Sequence, residues 1–234
     1  MSAADTRPLL SNAQPLTASR RALEAQLSTG TLSSGSGKVF LPFSIAAIER
    51  RRHIPVDEKE AFVVHVGEGA IKVIGARDDR RTSLGALYGA GRWLILLPNQ
   101  LAIGVAEQSH VRTWMPGDFN AASPRRFITL MTVMLEELAW RVAVLKRFSI
   151  QVRLLCALKE FGELAGAAAG GQIHLPPVTH EELASFIGTS REIITTALAE
   201  VRHSAIVTRL GRALYAVDRK ALEAALDRHD AILR

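Results

Sequence analysis

Only one cysteine, Cys156, occurs in the 234 residues. That excludes an internal disulfide framework, and it excludes a four-cysteine iron-sulfur cluster or zinc site held within one chain. No uninterrupted apolar stretch approaches the roughly 20 residues that a membrane helix needs. The N-terminus also lacks the basic-then-apolar arrangement of a secretory signal, so the expectation is a cytoplasmic chain with no membrane partner. Neither Gly-x-Ser-x-Gly nor His-Glu-x-x-His occurs, and no metal-ligand spacing is found, so no catalytic residue, metal or cofactor is assigned. The pair Gly37-Lys38 lacks the preceding glycine of a phosphate loop, and Val39 stands where a hydroxyl residue is required.

Hydrophobic residues make up 48% of the chain and charged residues 22%, a globular balance with enough apolar surface for one large or two ordinary cores. The formal net charge is +6. From Gln172 to the end, eight basic residues meet eight acidic ones, so the positive excess lies in residues 1–171. The first stretch, 1–38, carries Pro8, Pro15 and a Ser/Gly/Thr-rich run at 28–38, and it is expected to be flexible apart from a short helix at Leu16 to Leu27.

Residues 39–122 read as a small β-roll, with short apolar runs at 61–66, 70–74, 93–97, 101–105 and 110–114 separated by turn residues. The expectation within it is a hairpin over Val63 to Ile74, turning at Gly67-Glu68-Gly69. Residues 123–148 change period. Ser123-Pro124 starts a helix, and Ile128, Met131, Leu135, Leu138, Val142 and Leu145 recur at three and four, the seam of a coiled coil with a twin. Phe127, Leu130, Met134 and Val144 form a second strip suited to packing on the roll. A break at Phe148-Ser149 precedes a second amphipathic helix from Gln151 to Leu164, in which Cys156 is a small core residue, and glycines at 166–171 lead into the last module.

Within residues 149–234, a winged helix-turn-helix can be read directly. Thr179 with Glu182, and Thr189 with Glu192, each make a capping box that satisfies orphan N–H groups. Leu183, Ala184 and Ile187 mark the buried face of the first helix, Gly188 supplies the turn, and Ile193, Ile194, Ala197 and Leu198 mark that of the second. Ile206-Val207 and Leu214 to Val217 flank Leu210-Gly211-Arg212 as a hairpin wing.

The run Thr179-His180-Glu181-Glu182-Leu183-Ala184, followed by Phe186-Ile187-Gly188, Thr189-Ser190-Arg191-Glu192, Ile206-Val207, Val217-Asp218 and Leu222, resembles the bacterial cyclic-AMP-receptor and fumarate-nitrate-regulator (CRP/FNR) family of transcription regulators. The resemblance implies an α+β chain: an N-terminal cyclic-nucleotide-binding-like roll, a dimerisation helix and a C-terminal DNA-binding winged helix. It places base reading on Ser190, Arg191 and Glu192. Arginine presents two donors to guanine O6 and N7, and a carboxylate accepts from the cytosine amino group. Thr196, with Thr195 beside it, stands where the family often places a second arginine, so the half-site is expected to differ. Thr179, His180, Arg202, Arg209 and Arg212 complete the expected DNA contacts. The implied partners are double-stranded DNA and a second copy of the chain, with RNA polymerase a further candidate and the small-molecule effector unidentified. The neutral charge count leaves open an alternative, an effector-binding or protein-interaction module whose winged helix does not read DNA.

Cyclic-nucleotide responders in the family hold the ribose with a Gly-Glu pair and the cyclic phosphate with an arginine on a helix-bearing insertion. Here Leu87-Tyr88-Gly89-Ala90-Gly91 runs straight into Arg92 and Trp93-Leu94-Ile95-Leu96-Leu97, with no carboxylate and no length to cradle a phosphate. The hydroxyl pair of the long helix, counted back from Arg153, falls on apolar Leu138 and Ala139. Control by cyclic AMP is therefore not expected. His53, His65 and His110 lack a spacing motif for haem and are read as ordinary strand histidines.

Overall fold

The computed structural model describes residues 32–33, 39–40, 44–54, 56–57, 59–76, 82–106, 108–165, 171–211 and 213–232. The expectations for the Leu16 to Leu27 helix, for Gly37-Lys38 and for Arg212 lie outside these residues, as does most of the 1–38 segment. Strands β1 (Leu32–Ser33) and β2 (Val39–Phe40) pair antiparallel ahead of the roll.

The roll contains β3 (Ser44–Glu49), β4 (Phe62–Glu68), β5 (Ala70–Ala76), β6 (Thr82–Gly89), β7 (Trp93–Leu96), β8 (Gln100–Gly104) and β9 (Gln108–Trp114). They form two antiparallel sheets, ordered β3-β9-β4-β7 and β6-β5-β8. Alternation along the strands sends Phe62, Val64, Val66, Leu94, Leu96 and Val111 inward, where they meet Ile71, Val73 and Ala102 of the other sheet. The hairpin expected over Val63 to Ile74 does not form. β4 pairs with β7 and β9, whereas β5 pairs with β6 and β8, so the chain crosses between sheets at Gly69. Gly69 has φ +74°, and a Cβ there would lie 2.5 Å from the Gln108 carbonyl oxygen; the crossover needs glycine at this close approach.

Helices α1 (Pro116–Ala122) and α2 (Pro124–Arg147) follow. At 24 residues, α2 spans roughly 36 Å. Pro124 opens it, and Lys146 and Arg147 close it at the negative end of the helix dipole. Phe127, Leu130, Val133 and Met134 of α2 pack with Phe119 of α1 on the outer face of the larger sheet, against Val63, Trp93, Ile95 and Trp114. Trp93 and Trp114 stack at 5.2 Å there. This explains why β4 is apolar on both faces. Val144, expected on that same strip, instead packs with Phe148 and Val152, because it lies beyond the sheet and beside the helix break. Phe148 leaves the helical region (φ −108°, ψ 150°), and α3 (Ile150–Ala165) begins.

The C-terminal module comprises β10 (Gln172–His174), α4 (His180–Ile187), α5 (Arg191–His203), β11 (Val207–Gly211), β12 (Leu214–Asp218) and α6 (Arg219–Ile232), its sheet ordered β10-β12-β11. Its core is continuous with the roll: Ile74, Leu84, Leu87 and Val105 share one apolar cluster with Leu154, Leu158 and Phe161 of α3, Leu183 and Ile187 of α4, and Ile194 and Leu198 of α5. A β-rich N-terminal domain, helices and a C-terminal helix-turn-helix together give the α+β fold expected from the sequence. Among the described residues, no helix is long and apolar enough to cross a membrane.

Candidate nucleic-acid interface

Helix α4 begins with a complete capping box. The Thr179 hydroxyl accepts from the Glu182 N–H at 3.2 Å, and the Glu182 carboxylate accepts from the Thr179 N–H at 2.9 Å. Gly188 ends the helix in the left-handed region, φ +70°, as a glycine C-cap should. The second cap is not at Thr189. Ser190 is the extended N-cap of α5, and its hydroxyl accepts from the Ile193 N–H at 3.4 Å. The helix starts one residue later than Thr189 capping requires, which puts Glu192 at the second helical position.

That start sets the helix face. Ile194, Ala197, Leu198 and Val201 are buried. Ile193, expected in the core, is 44% exposed, because the i, i+3, i+4, i+7 set that begins at Ile194 already fills the core stripe. Arg191, Glu192, Thr195, Thr196 and Arg202 are all exposed on the same helix. The Thr195 and Thr196 hydroxyls donate to the carbonyls of Arg191 and Glu192 at 2.8 and 3.3 Å, leaving their oxygen lone pairs outward. The Glu192 carboxyl is held below the usual carboxylate range, first by a hydrogen bond from its own backbone, then by the Ser190 side chain and the Arg191 charge. It is an ionised acceptor, the form a cytosine amino group requires.

His180 joins the helices to the wing. Its Nδ1 lies 2.9 Å from the Thr195 hydroxyl, and its Nε2 lies 2.7 Å from that of Tyr215 on β12. The single Thr195 hydroxyl proton is already given to the Arg191 carbonyl, so Nδ1–H must donate to Thr195 and Nε2 must accept from Tyr215. Burial, then the Arg191 and Arg209 charges, lower the His180 pKa. Burial raises that of Tyr215, opposed by Arg209 and Arg202. Three arginines thus converge on this pair.

The neutral count over residues 172–234 therefore conceals a segregation of charge. Glu182 pairs with Lys72 of the roll, Glu200 accepts from Gln151 of α3, and Asp218 caps α6 through the Ala221 N–H. Arg191 and Arg202 remain exposed on α5, with Glu192 as the carboxylate beside them. Arg209 is exposed on the wing, its Nε–H donating to the Gly211 carbonyl at 3.1 Å. The expected residues Thr179 and Ser190 are exposed as well, although their hydroxyls already serve as helix caps. Sequence reasoning missed Tyr215 as a site residue. A tyrosine in an otherwise apolar strand was the available signal, since a buried phenol needs a partner for its hydroxyl.

The six seam residues of α2, Ile128, Met131, Leu135, Leu138, Val142 and Leu145, are all exposed. Of the three histidines considered for haem, His65 lies against Trp93 and His110 is 3.2 Å from Glu68. Among the described residues, no group of three or more His, Cys, Asp or Glu side chains is placed to hold a metal.

Residues 152–225 match the family model of the Crp-like helix-turn-helix domain. The chain carries a Crp-like helix-turn-helix module on a fold shared with CRP/FNR-family regulators. Solved structures agree over most of its length. FixK2 from Bradyrhizobium japonicum is 19% identical with a TM-score of 0.59, covering 77% of this chain and 96% of its own. A CRP/FNR-family transcriptional regulator from Thermus thermophilus is 18% identical with a TM-score of 0.62, covering 79% and 98%. A mutant of CooA from Carboxydothermus hydrogenoformans is 18% identical with a TM-score of 0.57, covering 78% and 87%. No curated protein sequence matches the chain significantly.

Proposed function

We propose that this protein is a transcription regulator that reads an inverted-repeat DNA site as a homodimer, without control by cyclic AMP. The observation that carries the reading is the outer face of α5. There Arg191, Glu192, Thr195 and Thr196 stand free of the core, flanked by Arg202 and by Arg209 of the wing. An α-helix of this kind fits the major groove, where such side chains discriminate base edges, while flanking arginines hold phosphates. The exposed α2 seam supports a two-fold pair, which sets half-sites about one helical turn, roughly 34 Å, apart. Independence from cyclic AMP is supported by the link between β6 and β7, which consists of Ala90, Gly91 and Arg92 alone. It is supported too by the exposed, apolar character of Leu138 and Ala139.

The test is selection from a randomised duplex library at near-physiological salt without added ligand. An enriched inverted repeat is the expected result. A folded, dimeric protein that enriches nothing would remove the effector-free reading. Calorimetry with cyclic AMP should give no stoichiometric binding; a micromolar site would overturn that part.

A further inference from the structure

We propose that His180 and Tyr215 form a proton-linked clamp for a DNA backbone phosphate, in which the imidazole takes up a proton as the phosphate arrives. The inference rests on the DNA-binding reading above and concerns a contact independent of base sequence. In the free protein the hydrogen bonds run one way: Tyr215 hydroxyl to His180 Nε2, His180 Nδ1–H to Thr195 hydroxyl, Thr195 hydroxyl to the Arg191 carbonyl. Each donor is used once, and the chain is complete only with neutral imidazole.

The charged groups acting on the ring are Arg191 from α5 and Arg209 from β11, with Arg202 acting on its partner Tyr215. The neighbouring side chains on its own helix, Glu181 and Glu182, are an exposed carboxylate and one committed to Thr179 and Lys72. Burial of the ring, and after it the Arg191 and Arg209 charges, disfavour the imidazolium, which is why the His180 pKa lies below its ordinary value. A phosphate drawn in by the same arginines reverses the effect of charge: it neutralises Arg191 and Arg209 and adds a negative charge beside the ring. The protonated imidazole then donates from both nitrogens. Nε2–H turns toward the Tyr215 oxygen; because Tyr215 is only 4% exposed, the phosphate must close over the hydroxyl end of the side chain to accept the freed phenolic proton. One proton from solvent is consumed per protomer, and the clamp gains a charge-assisted contact that it lacks when empty.

The experiment is calorimetry of the full chain with a mixed-sequence duplex spanning about three helical turns. Titrations near neutral pH in buffers of different ionisation enthalpy give the protons taken up on binding. The wild type is expected to take up close to one more proton per protomer than His180→Gln, whose side-chain amide offers a donor and an acceptor but does not titrate. Where the linkage is complete, wild-type affinity rises tenfold for each unit that pH falls, and His180→Gln loses that slope. Tyr215→Phe, which keeps the buried ring, should retain the uptake and lose roughly tenfold in affinity. Equal proton uptake by the wild type and His180→Gln, with both binding the duplex, would overturn the clamp and leave the DNA-binding reading standing. Absence of duplex binding even at low salt would remove both.

Discussion

Replacing Leu135 and Leu138 together by glutamate isolates the role of the α2 seam, because the two side chains are 61% and 59% exposed and contribute little to the core of one protomer. Fully burying a leucine is worth about 1.5–3 kcal/mol, so burying the exposed three-fifths of each is worth about 0.9–1.8 kcal/mol. A two-fold pair contains four such side chains, and the double substitution therefore removes about 4–7 kcal/mol of association energy. At about 1.4 kcal/mol per tenfold, that is a weakening of the dimer by three to five powers of ten. Repulsion among four carboxylates across the seam adds to it. Glutamate is as good a helix former as leucine, so α2 itself should persist. Sedimentation velocity is expected to show a wild-type dimer at micromolar concentration and a monomeric variant, with circular dichroism and melting temperature little changed. A wild type that stays monomeric at tens of micromolar, or a variant as dimeric as the wild type, would refute the seam. A variant that unfolds would show instead that α2 has a second buried side.

Arg191→Ala is expected to weaken binding to the selected duplex by about 1–3 kcal/mol and to relax preference at one guanine, measured by competition against base-substituted duplexes; equal loss on random DNA would contradict base reading. Thr179→Ala removes the α4 cap and should lower stability by about 1 kcal/mol in a denaturant titration, while Thr179→Ser should restore it. Burial, aided by Arg112, holds the His65 pKa down from 6.5 to about 4. The unfolded chain therefore binds a proton that the folded chain refuses, and the stability contributed by neutral His65 is present above about pH 6.5 and lost as pH falls toward about 4. Discounted for the ring's partial exposure, the loss is about 1–2 kcal/mol. His65→Gln should flatten that part of the stability profile; an unchanged profile would show that His65 protonates freely in the fold.

The features legible in the sequence are those fixed by neighbours within one or two turns. The Thr179/Glu182 box, the Gly188 C-cap and the α2 seam all rest on spacings of three or four residues, and each follows from local hydrogen bonding or helix periodicity. Where two residues compete for one local role, the sequence is ambiguous. Thr189 and Ser190 both carry a hydroxyl suited to capping, and Ile193 and Ile194 are adjacent isoleucines; in each pair the choice is made by where α5 meets the core. Contacts between distant segments were not legible. The partition of β4 and β5 between sheets depends on β9, some forty residues later in the chain. The His180–Tyr215 contact joins residues separated by 35 positions, and nothing in either neighbourhood announces the other. Val144 shows the same limit on one helix: its periodicity places it on the right face, but the length of the sheet beneath decides what it touches.

Such long-range contacts also set how the roll bears on α5. Glu182 uses one carboxylate oxygen for Lys72 of β5 and the other for the Thr179 N–H and hydroxyl, so the group that caps α4 is also the group that ties it to the roll. Arg141 of α2 makes a second tie. Its guanidinium donates to the Gly85 carbonyl of β6, pairs with Glu160 of α3 at 2.9 Å and lies 4.8 Å from the centre of the Phe186 ring of α4. These polar ties surround an apolar cluster that spans both domains, so the winged module is seated on the roll rather than tethered by a free linker. His180 follows Thr179 directly, and Thr195 hangs from His180. A displacement of β5 that moved Lys72 would act on the first turn of α4, and through His180 on the first turn of α5. The path consists of one ion pair, one cap and one imidazole, and each link is a directional hydrogen bond that holds or breaks. A contiguous set of directional contacts thus joins β5 to the first turn of α5, and a substitution can remove its links one at a time.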